Sequence, residues 1–136
     1  MKVVSISTKG FTDIVDITSL IFEIAAKDEF ENGLIHLFVK GSTAGLTIIE
    51  NDPNLFEDFR QMFETIAPYK RSYRHHETWG DDNGASHLRA ALLGPDLMIP
   101  IWNGRLHLGV YQRIVLVDFD TRERKREVVI TYVKSR

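Results

Sequence analysis

"LMIPIWNGRLHLGVYQRIVLVDFD", residues 97–120, decides the fold. Residues 97–101 read as a strand, and Asn103-Gly104 follows at once, the strongest short hairpin signal in the chain. Residues 105–108 run back from that turn. A longer apolar strand is expected over 111–119, and a second over 127–133, the two joined as a hairpin by the charged segment 120–126. Upstream, residues 85–93 are good helix formers closed by Gly94-Pro95. Residues 69–84 have no period and read as loop. Asp52-Pro53 opens the clearest helix, with Asp52 as cap, Pro53 in the first turn, and Leu55, Phe56, Phe59, Met62, Phe63 and Ile66 as its apolar stripe up to Pro68. Residues 2–7 and 12–17 read as short strands about a turn at Gly10. Thr18 is the expected cap of a helix that Gly33 stops, and 33–40 and 46–50 read as further strands. The fold class is therefore α+β: mostly antiparallel sheet with about three helices, in a single domain spanning residues 1–136.

The chain has 136 residues, 43% hydrophobic and 26% charged, with a net charge of -2. That balance argues against a nucleic-acid partner. No apolar run is long enough to cross a bilayer and no signal peptide opens the chain, so a cytoplasmic protein is expected, without membrane contact. There is no cysteine, so any metal must take His, Asp or Glu ligands.

Three stretches carry possible chemistry. "HHETWGDDNGASHLRAALLGP", residues 75–95, supplies His76 and His87 as imidazoles and Glu77, Asp81 and Asp82 as carboxylates. Two histidines and a carboxylate can hold a divalent ion such as Mg²⁺ or Zn²⁺, although no compact ligand spacing is present. Asn83-Gly84 precedes the helix, whose free N–H groups and dipole suit an anion. A solvated polar loop is the competing reading. "KGSTAGLTIIENDP", residues 40–53, offers the Ser42 and Thr43 hydroxyls and the Glu50 carboxylate; a turn with hydroxyls bonded to local backbone explains it equally. "WNGRLHLGVYQR", residues 102–113, offers Arg105 and Gln112, which an ordinary cross-strand pair on a wet sheet face would also explain. The run Arg122–Arg126 reads as solvated charge at a hairpin tip, and His36 as a core or interface histidine with a satisfied hydrogen bond.

The segments "STAGLTIIEN", "DDNGASHLRAALLGP", "NGRLHLGVYQRIVLVDFD" and "REVVI", in this order from Gly33 onward, resemble the YjbQ-like family, whose members are called secondary thiamine-phosphate synthases. The resemblance implies a compact α+β fold that assembles as a homotrimer, with sites near subunit contacts. It also implies a reaction that joins a pyrimidine methyl diphosphate to a thiazole phosphate and releases pyrophosphate. Carried over position by position, Glu50, Asp81 and His87 would be catalytic. Ser42, Thr43, Asn83 and Gln112, joined by Gly84 and Arg105 from the reading of the residues themselves, would bind a phosphorylated small molecule, and His76 and His87 would hold a metal. The chain departs from the family where Gly41, Gly80 and Ala85 stand at positions that relatives often fill with histidine. Where this chain reads Trp79-Gly80-Asp81-Asp82-Asn83-Gly84-Ala85-Ser86-His87, close relatives read Trp-His-Asp-Gly-Asn-Gly-His-Ser-His. These departures favour a diverged member that binds a phosphometabolite or metal without turnover, as the alternative to a metal-assisted transferase.

Overall fold

A computed structural model describes residues 1–136. Its strands are β1 (Lys2–Thr8), β2 (Asp13–Asp16), β3 (Gly33–Val39), β4 (Ala44–Ile49), β5 (Asp96–Trp102), β6 (Arg105–Leu106), β7 (Arg113–Asp118) and β8 (Arg124–Lys134). Its helices are α1 (Thr18–Lys27), α2 (Pro53–Ile66), α3 (His75–Trp79) and α4 (Gly84–Leu93). All strand pairs are antiparallel. The α+β class holds, with four helices; the fourth, α3, lies inside the segment expected to be loop.

β7 and β8 do not pair. They part into two sheets, a five-stranded one in the order β1-β8-β3-β5-β6 and a three-stranded one in the order β2-β7-β4. The expected hairpin over 120–126 is thus a crossing from one sheet to the other. The reason is that β7 is buried along nearly its whole length. Ile114 and Leu116 face the main core, with Ile35, Leu37, Ile99 and Ile130 of the larger sheet. Val115 and Val117, with Phe119, face a second cluster under Phe59 and Phe63 of α2 and Ala90 of α4. A strand covered on both faces reads as one continuous apolar run. β8 instead alternates buried Arg126, Val128 and Ile130 with more exposed residues, the pattern of a strand with one covered face.

Two local readings are settled by hydrogen bonds. Asp52 caps α2, its carboxylate accepting from Leu55 N at 2.8 Å. Thr18 is not the cap of α1 but its first residue; Asp16 Oδ1 accepts from Thr18 N at 2.9 Å. The Thr18 hydroxyl turns instead to β7, accepting from Ile114 N at 2.7 Å. No helix is long and apolar enough to cross a membrane.

Candidate functional site

β4 and β7 set the geometry. Ala44 is paired with Asp118 at one end of the ladder and Ile49 with Arg113 at the other. The turn 41–43 and the end of β7 therefore share one end of the small sheet, where the 119–123 crossing and the N-terminus of α4 also arrive.

The centre of that end is a buried ion network. Arg126 Nε and Nη2 donate to Asp118 Oδ2 and Oδ1 at 2.7 and 2.9 Å. Nη2 also donates to Thr43 Oγ1 at 2.5 Å, and that hydroxyl donates to Asp120 Oδ2 at 3.1 Å. Arg124 Nε reaches the same Asp120 oxygen at 2.8 Å. The Thr8 hydroxyl donates to Asp118. Asp118 and Asp120 are buried, as is the side chain of Arg126, only 8% exposed. Burial would raise the Asp120 carboxyl, but hydrogen bonds from Thr121 N, Arg124 and Asn83 hold it below the ordinary carboxylate range. The run read as a solvated hairpin tip thus turns Arg126 inward and lays the exposed Arg124 over the buried Asp120, because paired buried charges tolerate burial where single ones do not.

Above this network sit the imidazoles. The His75 and His87 rings lie 4.5 Å apart between centroids. His75 Nδ1 is 3.0 Å from Asp81 Oδ1, close but out of line for a hydrogen bond. The Asn83 amide stands between two carboxylates, 3.3 Å from Asp120 Oδ1 and within 3.2 Å of Asp81. Burial, then the neighbouring His75, holds the His87 pKa below its ordinary value; Asp120, Asp81 and a backbone contact from Ser42 pull the other way. At neutral pH, His87 is an uncharged imidazole able to accept or donate one hydrogen bond.

His87 stands between two hollows. One, about 380 Å³, has Gly41, Ser42 and Ala44 on one wall and His87, Ala90 and Pro95 on the other. The second, about 270 Å³, is lined by Tyr73, Arg74, His75, Gly84 and Leu88 as well as His87. A larger cleft of about 620 Å³, around Phe30, Trp102 and Arg136, gathers none of the candidate residues.

Ser42, Thr43, Asp81, Asn83, Gly84 and His87 are thus at one end of the small sheet. Glu50, Arg105 and Gln112 are not. Glu50 follows β4 at its other end, about 20 Å away for a strand of this length. The Gln112 side-chain carbonyl accepts from Gly109 N at 2.7 Å. Arg105 lies opposite Trp102 on the edge strand β6. Of the two adjacent histidines, His75 meets His87, whereas the ring of His76 lies edge-on to Tyr73, 5.8 Å between centroids. No three His, Asp or Glu side chains gather to hold a metal ion, so His76 and His87 have no third side-chain ligand from this chain.

His75, Asp118, Asp120, Arg124 and Arg126 were not among the expected site residues. For the two arginines the signal was the two-residue period, which puts Arg124 and Arg126 on one side of β8.

Comparison with known proteins agrees with this architecture. A solved structure of a YjbQ/UPF0047-family protein from Clostridium acetobutylicum superposes with a TM-score of 0.87 at 29% identity, over 98% of this chain and 100% of that one. A protein of unknown function from Sulfolobus solfataricus superposes at 0.85 with 33% identity, over 95% and 94% of the two chains. A UPF0047 protein of Methanothermobacter thermautotrophicus is 34% identical over 119 residues, covering 88% of this chain and 82% of that protein. Residues 2–135 match the profile of one family across nearly the whole chain, and the chain belongs to that family, the UPF0047 protein YjbQ-like family.

Proposed function

We propose that the hollow between the 41–44 turn and His87 receives the phosphate end of a small phosphorylated metabolite. The reaction that fits such a pocket is that of a thiamine-phosphate synthase. The ring nitrogen of a thiazole phosphate attacks the methylene carbon of a pyrimidine methyl diphosphate, the C–N bond forms as the C–O bond breaks, and pyrophosphate leaves. The observation that carries the reading is the meeting of a neutral, part-buried His87 with the Ser42 turn beside the first turn of α4. Developing charge on the leaving diphosphate would be met by the Ser42 hydroxyl, the amides near Gly84 and His87, which gains basicity as the anion arrives; such stabilisation is electrostatic and needs no general base.

Four carboxylates (Asp81, Asp82, Asp118 and Asp120) crowd this end against two arginines. Asp81 and Asp82 are the pair that no arginine engages. Mg²⁺ commonly reaches a protein through one or two carboxylates plus the phosphates it accompanies. A divalent ion, Mg²⁺ or Zn²⁺, therefore enters this reading as the companion of the diphosphate. Glu50, Arg105 and Gln112 enter it only in an assembly. In a homotrimer, the far end of one chain would approach the His87 end of the next.

Binding without turnover is the second reading. It is favoured by the position of Glu50 a strand's length from His87, and by the engagement of Gln112 with its own turn. The test is to incubate the full chain with the two substrates and Mg²⁺, follow product by mass spectrometry, and titrate Mg-pyrophosphate by calorimetry in parallel. Product that disappears in His87→Ala supports the transferase; saturable binding with no product supports the second reading. Neither binding nor product removes both.

A further inference from the structure

We infer that Arg126 donates directly to the bound phosphate, through an opening that Gly41 keeps clear. The inference rests on the phosphate-binding reading and deepens it by naming a ligand-contacting residue outside the three stretches that first suggested a site.

Arg126 has its Nε and Nη2 committed to Asp118 and Thr43. Nη1 makes no hydrogen bond within the chain. Nor is it sealed away: the buried side-chain atoms without partners belong to His75, His76 and Ser86. A guanidinium nitrogen left unpaired in an otherwise satisfied network is a donor in want of an acceptor. Gly41 lies directly over it. A Cβ built on Gly41 would stand 2.6 Å from Nη1, so no side chain fits there while Arg126 keeps its place, and the φ of +121° is one that other residues resist. Gly41 also lines the hollow shared by Ser42 and His87. Arg126 itself does not line that hollow; Gly41 stands between the two, and its missing side chain is what leaves Nη1 a path toward it.

The partners of Arg126 define what it selects. Asp118 matches its charge through two hydrogen bonds, so Nη1 offers a directed N–H more than a net positive field. That suits an oxyanion arriving with its own cation, as a Mg-diphosphate does, better than a bare carboxylate.

The experiment is calorimetry of the full chain with Mg-pyrophosphate, inorganic phosphate and acetate, with thermal unfolding run on every variant. Arg126→Lys keeps a charge for Asp118 and loses Nη1. Gly41→Ala covers Nη1. Gly104→Ala imposes a positive-φ penalty, smaller at +74° than at Gly41, at a turn with open space around it. Arg126→Lys and Gly41→Ala should each weaken pyrophosphate by about ten-fold or more, Gly104→Ala should not, and the double variant should be no weaker than either single one. Pyrophosphate should bind more tightly than phosphate, and phosphate more tightly than acetate. Wild-type affinity in folded Arg126→Lys and Gly41→Ala, with His87→Ala still weakened, overturns the inference and leaves the phosphate pocket standing. No binding by the wild-type chain removes the pocket itself. Should Arg126→Lys fail to fold, Gly41→Ala decides alone.

Discussion

At the scale of single residues, His87 carries a pH dependence whose sign can be worked out. Its folded pKa lies below the ordinary 6.5, chiefly through burial and then through His75. The unfolded chain therefore binds a proton in a window just below 6.5 where the folded chain does not, and folding stability falls as pH drops through that window. Binding has the opposite sign. A phosphate favours the protonated ring, so affinity for pyrophosphate should tighten as pH falls from about 8 to about 6, with proton uptake on binding. Calorimetry in two buffers of different ionisation enthalpy reads that uptake directly, and His87→Ala should abolish it. An uptake that survives in His87→Ala would overturn the assignment of the proton to His87. This scale also shows where sequence reading stops. Adjacent histidines in an extended loop point opposite ways, so either could have faced the site; only the short helix α3 turns His75 toward His87. That helix has no side-chain cap and no buried residue, and so leaves no periodic trace in the sequence.

Among the elements, those legible in advance were the ones whose local chemistry and packing agree. Asp52 caps α2, Asn103-Gly104 turns β5 into β6 with positive φ at both residues, and Gly94 ends α4. Illegible was the partner of a strand, because β7 and β8 are equally good neighbours by pattern and are separated only by which core each must cover. The polar residues of the crossing record that choice. Asp118→Asn leaves the buried Arg126 with only the more distant Asp120, 3.8 Å away, as counter-charge and should destabilise the fold by about 3 kcal/mol in denaturant titration. Arg124→Ala, with its side chain far more exposed, should stay under about 1 kcal/mol. Equal effects would mean that the network is solvated rather than structural. The start of α1 follows the same logic. Burial raises the Asp16 carboxyl, but hydrogen bonds from Arg113, Thr18 and Asn51 bring it down to about 2. Its contribution is complete above the ordinary 3.8 and is lost as pH falls from there toward about 2. Asp16→Ala should cost about 1 kcal/mol at neutral pH and flatten the acid limb of the stability curve. An unchanged limb would mean that the Asp16 carboxylate does not hold the start of α1.

For the whole molecule, the outer face of the five-stranded sheet is the surface that calls for a cover. Its inner face is the main core. Outside, Val3, Phe38, Met98, Trp102 and Val133 are 38–54% exposed, and the register puts several of them side by side. Phe38 lies opposite Val129, itself opposite Val3, while Leu34 lies between Val133 and Pro100. The polar interruption at its middle is self-contained, His36 Nε2 lying 2.7 Å from Asp96 Oδ2. The apolar centre of this face, with His36 and Asp96 paired within it and Lys125, Glu127 and Arg105 toward its edges, resembles the core and rim of a homomeric interface more than a solvated surface. A second copy of this chain is therefore the expected occupant, and a closed ring of three is the assembly that the family resemblance implied. Light scattering behind size exclusion should give about three times 15.6 kDa for the wild type, and Phe38→Glu combined with Met98→Glu should give the single-chain mass with the fold intact by circular dichroism. The other candidate surface is the exposed stripe of α4, Leu88 and Leu92. If the double variant Leu88→Glu with Leu92→Glu dissociates the oligomer and the sheet-face variant does not, the interface belongs to α4. The chain would then meet its neighbour beside His87, the arrangement that the transferase reading needs to bring Glu50 and Gln112 of one subunit to the pocket of the next.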